Sequence, residues 1–263
     1  MLQKDNSRWP MVVCEHAGDV PAGGLKIVRP EIVAQLGHPV DVMFPAFAAA
    51  FPLCVSAMKQ HWGTPKLVTV RVTQNWIASI VLEGPDTKNI QIKNRFFEDD
   101  FDAEFFDDFK RMLPVKWKEL YRWFDSFGER DYPLGAGGWI NTPFHHSGRL
   151  TPEEYRQRLG AKKQAIRDFE NRVDSIKLRC WLLTEAGDTL WLDEQRCDHK
   201  VYHLRGIDFK DVGVIENPAE ALDAYLAHFL SGGKPVDFDF YKWRSPANAE
   251  PKQGFLAKLF DIK

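Results

Sequence analysis

The chain has 263 residues, 44% of them hydrophobic and 27% charged, with a formal net charge of −2. That balance is ordinary for a globular protein. It gives no global pull towards nucleic acid or membrane, and the length can bury one large core or two small ones. The first eight residues, Met-Leu-Gln-Lys-Asp-Asn-Ser-Arg, lack the apolar stretch of a signal peptide. The richest apolar run, 42–55, is interrupted by Pro45 and Pro52 and is too short to span a bilayer. A cytoplasmic protein is expected. Cys14, Cys54, Cys180 and Cys197 are scattered without close pairs, which in a reducing compartment reads as free thiols.

In chain order, 9–13 is a first strand and 30–37 a short helix. Residues 42–58 are apolar nearly all round, as in a buried helix broken by its prolines. Residues 66–72 alternate, with Leu67, Thr69 and Arg71 on one face and Val68, Val70 and Val72 on the other, the period of a strand. Residues 76–82 continue that sheet after a turn at Gln74-Asn75. Gly84-Pro85-Asp86 is a second turn, and 90–93 is one more short strand. This half reads as a small α+β domain, 1–96.

A helix over 99–112 follows, and Leu113-Pro114 opens an amphipathic helix over 115–127. Residues 135–138 form a glycine loop. Thr151-Pro152-Glu153-Glu154 combines a threonine cap, a first-turn proline and an acid, which starts a helix running to about 173. Strands at 177–183 and 189–193 are joined by a turn at 185–188. In the second, Leu190 and Leu192 share one face and Thr189, Trp191 and Asp193 the other. Residues 201–204 complete a hairpin with it. Asn217 and Pro218 provide the cap and first turn of a helix to Leu230. Residues 244–263 read as a polar linker with a short amphipathic tail.

Phe97, Phe101, Phe105 and Phe109 sit four apart, on one helical stripe. Around them stand Glu98, Asp99, Asp100, Asp102, Glu104, Asp107 and Asp108, with no Lys or Arg among them. The aromatics suit a core, and the acids suit either a solvated face near a helix N-terminus or a docking surface for a basic partner. Asp99, Asp100, Asp102, Asp107 and Asp108 are the candidate partner contacts, together with Trp139, His145 and His146 in loop-like surroundings. The other tryptophans, including Trp117, Trp123, Trp181 and Trp191, suit a core.

Several chemistries lack their full residue sets. Cys197, His199 and His203 share strand parity and are metal-ligand types, but a zinc site needs about four ligands, so no metal is expected. His145-His146 has no nucleophile or orienting carboxylate beside it. The glycines at 135–138 lack both the Lys-Ser/Thr of a phosphate loop and the spacing of a dinucleotide fold. No cofactor and no catalytic residue is assigned.

Leu113-Pro114 with Tyr121 and Phe124, then Gly187, Asp188 and Asp193, then 215–230, resemble the SUKH superfamily over 97–243. That family consists largely of bacterial immunity proteins that neutralise secreted toxins. The segment between the two signatures is longer here, and His199-Lys200 replaces the usual glycine before the second hairpin strand. The resemblance implies an α+β fold, a mixed or antiparallel sheet flanked by helices, forming a SUKH-like C-terminal domain after the small α+β domain. It implies a non-enzymatic protein that binds a cognate toxin with a basic surface, such as a nuclease delivered by a contact-dependent or type VI system. An enzyme whose catalytic residues are dispersed along the chain is the alternative.

Overall fold

The computed structural model describes residues 11–72, 74–84, 89–93, 111–123, 126–129, 145–146, 152–173, 175–183, 188–205, 212–233 and 237–247. Among the described residues, eleven strands lie side by side in chain order. They are β1 (Met11–Cys14), β2 (Lys66–Val72), β3 (Asn75–Glu83), β4 (Asn89–Lys93), β5 (Ser126–Glu129), β6 (His145–His146), β7 (Leu178–Leu183), β8 (Thr189–Asp193), β9 (Val201–Leu204), β10 (Gly213–Ile215) and β11 (Arg244–Pro246). β1 to β5 pair antiparallel, and so do β7 to β11. β6 pairs parallel with both β5 and β7 and so links the two antiparallel blocks. With helices against it, this mixed sheet makes an α+β fold, as expected.

The apolar run after residue 39 forms α2 (Val40–Met43), α3 (Pro45–Ala50) and α4 (Pro52–His61), preceded by α1 (Pro30–Ala34). The breaks fall at Phe44 and Phe51, with φ/ψ of −132°/66° and −130°/63°. Each precedes a proline, whose ring excludes the preceding residue from the helical region. Both phenylalanines are fully buried, so the breaks turn the chain without exposing it. The later helices are α5 (Trp117–Trp123), α6 (Pro152–Glu170) and α7 (Pro218–Leu230). Gly232 ends α7 at φ +87°. The N–H groups of Gly232 and Gly233 donate to Phe229 O and His228 O, both at 2.9 Å, which is the Schellman closure of a helix C-terminus.

α4 packs on α7, and α3 packs on α5. The largest buried cluster joins Phe47, Met58 and Leu67 to Leu113, Trp117, Leu192 and Tyr225. Buried residues on both sides of the expected division at 96 thus belong to one cluster. On the other sheet face, Ile166 and Phe169 of α6 meet Trp191, Tyr202 and Leu204. β8 is therefore buried on both faces, with Leu190 and Leu192 turned one way and Trp191 the other, as the alternation requires. β2 follows the same rule: Leu67 joins the large cluster, while Val68 and Val70 join Val81 on the opposite face. A register shift between Cys180 and Leu182 lets neighbouring Trp181 and Leu182 both enter the large cluster. Trp181 lies against Trp117 with ring centroids 4.1 Å apart, and the Trp117 indole N–H donates to Pro218 O at 3.0 Å.

Several expectations are corrected. The helix expected over 115–127 spans Trp117–Trp123, and Ser126–Glu129 pairs as a strand with β4; Gly128 disfavours continued helix, and the ladder supplies the backbone with partners. His145 and His146, expected in a loop, form β6. Arg244–Pro246, expected in a linker, pairs with β10 as the last strand. Asn217 takes the N-cap position of α7, but its side chain makes no capping bond.

Candidate functional site

Asp99, Asp100, Asp102, Asp107, Asp108 and Trp139 lie outside the described residues. The backbone of His145 and His146 lies between β5 and β7. Cys197 and His199 do not share a strand face with His203. They occupy the connection between β8 and β9 at φ 49° and 60°, whereas His203 is buried in β9. Among the described residues no group of three His, Cys, Asp or Glu could hold a metal ion. The four cysteines are free thiols, and burial pushes the Cys14 and Cys54 thiols up.

Two buried carboxylates hold backbone. Asp193 Oδ1 accepts from the N–H groups of Lys177, Gln195 and Arg196 at 3.2, 2.9 and 3.3 Å, fixing the chain as it leaves β8. Asp223, on α7, accepts from Leu53 N at 3.0 Å and Cys54 N at 2.7 Å. α4 has no capping side chain of its own at Phe51, so its orphan donors are met from another helix 170 residues away. Burial raises the Asp223 carboxyl, and its bonds to Cys54 and Leu53 pull the other way.

A third polar group sits at the end of β8 to β11. His203 is 1% exposed, and its Nε2 lies 2.9 Å from Asp188 Oδ1. A carboxylate only accepts, so Nε2 carries the ring proton. Nδ1 is buried and has no partner among the described residues. The ring packs against Phe240 with centroids 5.7 Å apart, and Phe240 packs against Tyr225. The pair is sealed between strand and aromatic cover, which suits holding β8 to β9.

Directly above it the chemistry reaches the surface. Asp239 Oδ1 accepts the Tyr241 N–H at 3.0 Å and starts the short 3-10 turn Phe240–Trp243. This turn presents Tyr241, 45% exposed. The Arg244 guanidinium lies 4.0 Å from the Tyr241 ring centroid and that of Arg205 lies 5.5 Å from it. Gly213, opposite His203 in the ladder, leaves room for Arg244: a Cβ there would come within 2.7–2.9 Å of the arginine's Cδ, Nε and Cζ. Arg244 also donates to His203 O at 3.5 Å, and Lys162 donates to Arg205 O at 3.4 Å from the opposite sheet face. A tyrosine and two arginines are thus held by a turn, a bare glycine and two buried anchors. Such a cluster suits binding, since Tyr and Arg dominate interface energetics.

None of Arg205, Gly213, Tyr241 and Arg244 stood out in the sequence. The one usable signal is Asp239-x-Tyr241-x-x-Arg244, and Arg244 falls at the start of the expected linker. Compared with protein-family models, curated proteins and solved structures, the chain matches none.

Proposed function

We propose that the chain is a non-enzymatic, cytoplasmic immunity protein that neutralises a cognate bacterial toxin by stoichiometric binding. The observation that carries the binding reading is the exposed Tyr241 with the guanidinium groups of two arginines against its ring. Preorganised aromatic and guanidinium groups lose little freedom on association. The class of partner rests on the resemblance of 97–243 to SUKH immunity proteins. Two aspartates quoted for that resemblance, Asp188 and Asp193, both serve the framework here. The acidic run at Asp99, Asp100, Asp102, Asp107 and Asp108 supplies negative charge that would steer a basic toxin surface. Among the described residues no helix is long and apolar enough to cross a membrane.

The test is co-expression with the product of the adjacent gene. A one-to-one complex on size exclusion, with restored growth of cells that express that product, supports the reading. Absence of both overturns it. The second reading, an enzyme with dispersed catalytic residues, is favoured by the buried Asp188–His203 pair with its unpartnered Nδ1. Under that reading His203→Gln abolishes the cellular protection while leaving partner binding intact. Under the binding reading, protection and binding fall together.

A further inference from the structure

We draw no further inference here: the strongest candidate, the buried Asp188–His203 pair at the end of β8 and β9, whose His203 Nδ1 has no partner among the described residues, belongs to the site already described, where it serves the framework beneath Phe240 and Arg244.

Discussion

Replacing Asp223 by alanine should destabilise the protein by about 2–3 kcal/mol. The carboxylate serves two donors at the start of α4. Cys54 is fully buried, so its N–H would be left without acceptor or water, at a cost of about 1–3 kcal/mol. Leu53 is 54% exposed, so its N–H can return to water, and its share is nearer the loss of an ordinary cap, about 1 kcal/mol. Removing a carboxylate that burial disfavours offsets part of the sum. Urea unfolding at neutral pH measures the difference; with a slope of about 2–3 kcal/mol per molar, the midpoint falls by roughly 1 M. Asp223→Asn keeps one acceptor and should lose less. The pair also gives a pH test. Burial raises the folded carboxyl above its unfolded value, so the folded state holds the proton more tightly. That contribution favours folding at low pH and is lost as pH rises through the raised value. The advantage of wild type over Asp223→Asn should therefore shrink from about pH 4 towards neutrality. A midpoint for Asp223→Ala within about 0.2 M of wild type would show that water serves the α4 N-terminus and refute the reasoning.

Asp193→Ala strips the acceptor from three backbone donors and should cost about 2–4 kcal/mol, read as a lowered melting temperature, whereas Asp193→Asn should recover at least half. Trp117→Ala removes a ring packed on Trp181 and the bond to Pro218, and should cost about 3–5 kcal/mol in denaturant unfolding. Gly213→Ala should leave stability in urea unfolding within about 1 kcal/mol of wild type, because the clash is with a movable arginine side chain. Charge reversal of Asp100 and Asp102 to Lys should slow association with a basic partner and flatten its salt dependence, measured by stopped flow, without altering the unfolding midpoint.

The local elements were legible because each depends on neighbours in sequence. Leu190, Trp191 and Leu192 alternate, and the strand buries both faces accordingly. Pro45 and Pro52 break the apolar run at the residues before them. Pro218 starts α7 and Gly232 stops it. What could not be read is what depends on distant partners. The amphipathic period continued past Trp123, yet 126–129 became a strand because β4 offered it a ladder. Arg244 looked like linker because its partner strand is three residues long and lies 29 residues upstream at Ile215.

The same limit explains the site. Asp188 was visible as half of a hairpin signature, and that signature predicted framework. Its partner is His203, fifteen residues on, and nothing in the spacing of metal-like residues around Cys197 and His199 pointed there. Positive φ at both of those residues takes them out of strand geometry, so parity could not place their side chains. The pairing matters for function through geometry rather than chemistry. It fixes the end of β9, and the end of β9 carries both His203 O, which holds Arg244, and Arg205 itself. Breaking the buried pair should therefore loosen two of the three groups at the surface. An interface that relies on prearranged arginines would lose affinity through a residue that touches no partner atom. His203→Leu, which keeps the β8–β9 ladder but removes the bond to Asp188, should accordingly weaken binding of the adjacent gene product several-fold in a chain that still unfolds cooperatively. Undiminished binding would mean that Gly213 and the turn at Asp239 suffice to hold the cluster.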